Sequence, residues 1–142
     1  MMFQRINRSS ADKVFVVGQN VSGGTVNANT AAVYDTSASG DGVRAAVPVT
    51  STLSSLIGLW ATAVADSAYG AIQAYGFRAS ASVINHTSVP IVAGDIMIPV
   101  TAVGYLARSG TADGKSGFVT AAFAVATGSA TGVNAPVFLK CL

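Results

Sequence analysis

Residues Ser67–Val83 read SAYGAIQAYGFRASASV. The stretch repeats a Tyr-Gly pair, at Tyr69-Gly70 and Tyr75-Gly76, and then runs through alanine and serine with a single arginine. Alternation predicts a strand from Ala71 to Phe77. It puts Gln73, Tyr75 and Phe77 on one face and Ile72, Ala74 and Arg78 on the other. A glycine inside a strand marks a bulge, a sharp bend or a close backbone approach. Small barrels need such bends to close. Extended chain continues over Ala79–Ile84. A curved strand lined with small side chains decides the fold class: all-β, with sheets or subunits in close contact.

The flanks agree. Lys13–Gly18 (KVFVVG) is a β-branched strand, and Gln19–Gly24 (QNVSGG) turns the chain. A second strand ends near Tyr34. Val43–Val49 is a short strand broken by Pro48. Ser55–Asp66 (SLIGLWATAVAD) reads as a strand with Ile57, Leu59, Ala61, Ala63 and Ala65 on one face and Leu56, Gly58, Trp60, Thr62 and Val64 on the other. A turn at AGD precedes a strand that Pro99 ends, and Val103–Ala107 is another strand. Phe118–Thr127 and Ala135–Cys141 form a closing hairpin, although Phe118, Ala122, Phe123 and Ala126 also fit a helical stripe. Met1–Asp12 reads as an extended arm, and residues 13–142 as one β domain without repeats or a linker.

Charged residues make up 10% of the 142, against roughly 25% in an average soluble domain. So little charge on a small domain points to permanent assembly, because obligate interfaces are more apolar than ordinary surfaces. All six acids are aspartate, a residue of turns and caps. The net charge of +2 gives no argument for nucleic acid. Arg5, Arg8 and Lys13 cluster near the start, as in an arm that meets an acidic protein surface or in a solvated tail. Met1–Ser10 lacks an apolar core of signal-peptide length, which predicts no secretion signal. The uncharged runs Ala45–Ala65 and Ser116–Leu139 are too rich in Ser, Thr, Gly and Pro for membrane spans.

Catalytic chemistry finds few residues to use. His86 is the only histidine and Cys141 the only cysteine. A Cys–His pair would need the fold to join them. No GxSxG elbow, phosphate loop, dinucleotide fingerprint or EF-hand spacing is present. The expectation is a non-enzyme with no cofactor and no metal. Trp60, Tyr75, Phe77 and Arg78 are the candidates for core or oligomer-interface packing, with a binding groove as the alternative for the aromatic residues.

Lys13–Val26 (KVFVVGQNVSGGTV), Leu56–Gly76 (LIGLWATAVADSAYGAIQAYG), Val92–Val100 (VAGDIMIPV) and Pro136–Leu142 (PVFLKCL) together resemble the decoration, or cement, proteins that coat the heads of tailed bacteriophages. The resemblance implies a small β-barrel or β-sandwich of β-tulip type with an extended N-terminal arm. It implies a homo-oligomer, with a trimer favoured. It places the protein on the virion surface after synthesis in the host bacterial cytoplasm, bound to the major capsid protein and not to nucleic acid or membrane. Phe3 and Ile6 would then anchor the arm, with Arg5 and Arg8 meeting acidic capsid loops. The alternative is a receptor- or glycan-binding module of a phage head or tail fibre.

Overall fold

In the computed structural model the chain is described at residues 12–36, 42–84, 91–101, 104–108, 122–124 and 133–141. These residues form nine strands. They are β1 (Val14–Asn20), β2 (Ala31–Tyr34), β3 (Arg44–Ala46), β4 (Leu56–Trp60), β5 (Tyr69–Val83), β6 (Ile96–Pro99), β7 (Leu106–Arg108), β8 (Ala122–Ala124) and β9 (Val133–Lys140). One 3-10 turn, Leu53–Ser55, leads into β4. The protein is all-β, built on a closed five-stranded barrel with further strands added.

The barrel runs β1-β3-β2-β4-β5 and closes where β1 pairs antiparallel with β5. The remaining strands complete a second circuit, β5-β7-β6-β8-β9, which closes where β9 pairs antiparallel with β5. Both circuits use the same 15-residue strand. Its first half, Tyr69–Tyr75, pairs with β1, and its second half, Tyr75–Val83, pairs with β9. The opening stretch of sequence is therefore one strand longer than its pattern predicted. The extended segments before and after Arg78 are parts of a single element.

Bends let one strand serve two circuits. At Gly76 the backbone takes φ +100, and a Cβ there would run into the carbonyl oxygen of Asp12. Only glycine accepts both conditions without strain. A second irregularity falls between Arg78 and Ala81, opposite Pro136 of β9. Proline has no N–H to give to a ladder and is tolerated inside sheets at such bulges.

Two packed cores fill the circuits. Val26, Ala32, Ala45, Ile57, Trp60, Val64 and Ile72 form one, inside the barrel. Ala31, Leu59, Ala81, Val83, Ile91, Met97, Leu106, Ala135, Val137 and Leu139 form the other. Neighbours in β2, Ala31 and Ala32, thus face different cores, as a two-residue side-chain period requires.

The expected alternation of β4 needs correcting. Ile57 packs in the first core with Trp60, and Leu59 packs in the second with Leu56 beside it. The reason lies in the register with β2. Ala32 pairs with Gly58 and Val33 with Leu56, so Ile57 is an extra residue bulged out of the ladder. A bulge of one residue inverts the facing of everything beyond it. The strand also stops at Trp60 instead of reaching Asp66. Beyond it the chain turns, and Val64 bridges to Val26. The predicted strands at Val43–Val49 and Val103–Ala107 shrink or shift to β3 and β7. Of Phe118–Thr127, the described residues are strand and pair with β9, Phe123 opposite Phe138. The hairpin reading holds there over the helical one.

Candidate functional site

Trp60 is completely buried in the barrel core. Its indole Nε1 is also buried and has no hydrogen-bond partner. Tyr75 and Phe77 are half-buried. The Tyr75 ring meets Phe138 edge-on, with centroids 5.3 Å apart and an interplanar angle of 84°, the arrangement that aromatic quadrupoles favour. Phe77 pairs directly opposite Phe138 on β9. Tyr75 and Phe77 therefore both neighbour Phe138 where the two circuits join.

Arg78 turns inward. Its Nε and Nη2 donate to Asn29 Oδ1, Nη2 to the carbonyls of Ala61 (3.1 Å) and Trp60 (3.4 Å), and Nη1 to Gln73 Oε1 (3.4 Å). Asn29 sits in a turn at φ +69. Its own N–H donates to the Trp60 carbonyl, and its carbonyl accepts from Ser82 N–H. The guanidinium thus clips the end of β4 and the turn before β2 onto β5. Burial lowers its pKa from the usual arginine value. A donor fork spent on its own chain is poorly placed to grip a phosphate.

Two fully buried polar residues escaped the sequence reading. Asn20 donates through Nδ2 to the carbonyls of Gly24 (2.8 Å) and Val64 (3.0 Å), and its Oδ1 accepts from Ser22 N–H. Gln73 donates to the carbonyls of Phe77 (3.1 Å) and Tyr75 (3.3 Å). The signal available for Asn20 was its place two residues before Ser22 in a Gly-rich turn, the position of an Asx turn. Nothing local in the sequence marks Gln73.

Two of the described aspartates, Asp66 and Asp95, hold turns. Asp66 accepts from Gly23 N–H (2.9 Å), and Asp95 accepts from Val92 N–H (2.8 Å). Asp95 also meets Arg108 at 3.2 Å, and Asp35 lies 3.8 Å from Arg44 Nε. Partly exposed pairs of this kind contribute little to stability. A groove of about 320 Å³ runs beside the second of these pairs, lined by Val21, Ser22, Asp35, Val47, Val49, Thr52 and their neighbours. Among the described residues, no aromatic ring lines it. Among the described residues, no group of three His, Cys, Asp or Glu is placed to hold a metal ion, and no helix is long and apolar enough to cross a membrane. Phe3, Arg5, Ile6 and Arg8 of the arm, and His86, lie outside the described residues.

Cys141 follows β9, and its N–H donates to the Ala74 carbonyl. Burial pushes its thiol up to about 11, against a smaller opposing effect of a backbone hydrogen bond at Lys140. The thiolate is the reactive form, so Cys141 is a packing residue at neutral pH. Iodoacetamide is expected to label it slowly in the folded chain and quickly in urea. The folded state also holds the thiol proton more tightly than the unfolded chain does. That contribution to stability is present below about pH 9 and lost as pH rises through about 11. Unfolding midpoints of the native sequence should therefore fall faster over this window than those of Cys141→Ser. Parallel pH profiles for the two chains would refute the assignment.

The chain matches no protein-family model, and no curated protein is similar to it in sequence.

Proposed function

We propose that the protein is a structural virion component, a decoration or cement protein that binds the major capsid protein on the outer head surface of a tailed bacteriophage and stabilises the shell. One observation carries the reading. A chain that is only 10% charged leaves large apolar side chains open to solvent on several strands and loops, among them Tyr34, Val49, Val92 and Ile96 at 41–50% exposure. So little charge on a small domain suits lasting contact with a partner, because obligate interfaces are more apolar than ordinary surfaces. Two rigid circuits on a common strand would bridge neighbouring capsomers, and apolar contact at about 25 cal/mol per Å² accumulates over many copies. The arm adds Phe3 and Ile6 as apolar anchors, with Arg5 and Arg8 on acidic capsid loops.

The test is quantitative mass spectrometry of purified particles from the source, counting this chain against the major shell protein. A ratio near one to one is the expected result. Particles reconstituted with a chain lacking Met1–Ser10 should then carry fewer copies. A handful of copies per particle would move the protein to a tail or fibre, and complete absence would overturn the virion assignment.

A further inference from the structure

β1 has one covered edge and one that is covered only at its end. Along its length it pairs with β5, but β3 meets it only at Gln19 and Asn20. Gln19 N–H donates to the Val43 carbonyl, and Val21 N–H donates to that of Ala45. Backbone groups alternate between the two edges of a strand. Phe15 and Val17, in phase with Gln19 and Val21, therefore direct their N–H and C=O groups to the same edge. No partner meets them there among the described residues. Their side chains are also open, Phe15 at 48% and Val17 at 67%, with Val14 beside them at 42%. An uncovered edge that is apolar, β-branched and free of proline is a template for another strand.

We infer that this edge pairs with the same edge of a second copy of the chain, antiparallel across a two-fold axis at Val16. The register follows from the phase of the free groups. With Val16 opposite the second copy's Val16, Phe15 lies opposite the second copy's Val17, and Val17 opposite its Phe15. Those are the residues whose free groups face outward, so each opposition exchanges both backbone hydrogen bonds. The side chains brought together are an aromatic and a β-branched residue, a favourable cross-strand pair.

Charge fits the same arrangement. Val14–Gly18 carries none, so a patch that must meet itself opposes no like charges. Beyond Val14 the second copy's strand would reach the ground held by Val43 and Arg44, where this register sets its Lys13 beside Arg44, so the pairing ends at Val14. Past Gly18 the edge is already taken by β3, which limits the pairing to this short stretch. The contact is isologous and closes at two chains, unlike the ring contact of a trimer. It does not depend on the virion reading.

Light scattering after size exclusion tests it, on the full chain and on Val17→Pro. Proline at 17 removes an N–H that makes no bond among the described residues, a position at which edge strands tolerate proline. At micromolar concentration the native sequence should run at twice 14.2 kDa. Val17→Pro should bind itself about a hundredfold more weakly and run as one chain with an unchanged circular dichroism spectrum. If Val17→Pro does not fold, Val17→Lys gives the same reading, because this side chain is mostly in solvent. Amide exchange gives an independent measure. Phe15 and Val17 N–H should be protected at high protein concentration and lose protection on dilution. A monomeric or trimeric native chain, a proline variant that remains dimeric, or unprotected amides at Phe15 and Val17 would each overturn the inference.

Discussion

Trp60→Ala is expected to lower the stability of the chain by about 3–5 kcal/mol, a large share of the roughly 5–15 kcal/mol that holds a domain folded. The indole is fully buried among Val26, Ala32, Ala45, Ile57, Val64 and Ile72. These neighbours come from β2, β3, β4 and β5 and from the bridged turns, so the ring is what the closed barrel closes upon. Gly70 lies against it: a Cβ at that position would stand 3.2 Å from the ring. The elements around the cavity are tied by ladders and cannot readily collapse into it, which places the cost toward the upper end of the range. Trp60→Phe should cost much less. It keeps most of the volume and discards the indole N–H, which is buried without a partner and carries a penalty of about 1–3 kcal/mol. Urea unfolding followed by circular dichroism gives both values. A loss below about 1 kcal/mol for Trp60→Ala would mean that the ring does not organise the core. A Trp60→Phe variant as unstable as Trp60→Ala would remove the argument from the orphaned N–H.

How much of this was legible beforehand depends on distance along the chain. Local patterns suffice to read β5 as a strand punctuated by glycine, but its alternation fails across Gly76: Arg78, expected on the face opposite Gln73, donates to the Gln73 side chain. They suffice for Trp60 as a packing residue. They fail at β4, where Ile57 and Leu59 share a parity in sequence but not a core. The bulge that separates them is defined by which β2 residues they oppose, and no local window contains that information. The same holds for the second circuit, whose closure rests on β9 finding Tyr75–Val83 from 50 to 65 residues away. Asn20 and Gln73 are polar residues whose burial is decided by the strands that arrive over them. The segment Lys13–Gly18 illustrates the converse problem. It is β-branched and apolar on both faces, so the pattern cannot tell the buried side from the exposed one. The structure separates them, with Val16 packed against the barrel core and Phe15 and Val17 in solvent. The sequence groups Tyr75, Phe77 and Arg78 with Trp60 as core or interface residues, and their separate geometries were not foreseeable from it. Arg78 became an internal clip because the Asn29 turn lands beside it.

Gly76→Ala carries the second large effect, an expected loss of about 3 kcal/mol or more from two separable causes. The first is conformational: φ +100 is a region that alanine occupies only with strain. The second is steric: the new Cβ would meet the Asp12 carbonyl and stand 3.2 Å from Lys13 Cα. Both obstacles are backbone and cannot swing aside. Gly94 separates the two causes. It has a similar φ, +93, with nothing within 4 Å of the position its Cβ would take. Gly94→Ala should therefore report the conformational cost alone, about 1–2 kcal/mol. The difference between the two variants measures the close approach. Should they prove equally destabilising, the approach of Asp12 to β5 would carry no weight. The contact matters beyond stability because Tyr75 pairs with both Val14 and Lys140. β1 must leave the edge of β5 there so that β9 can take it over. Gly76 lets the backbone at Asp12 cross close over β5 and so sets the line on which β1 enters the barrel. A side chain at this position would push the start of β1 outward and displace the uncovered edge at Phe15 and Val17. Gly76→Ala should therefore weaken self-association as well as folding, whereas Gly94→Ala should leave self-association unchanged.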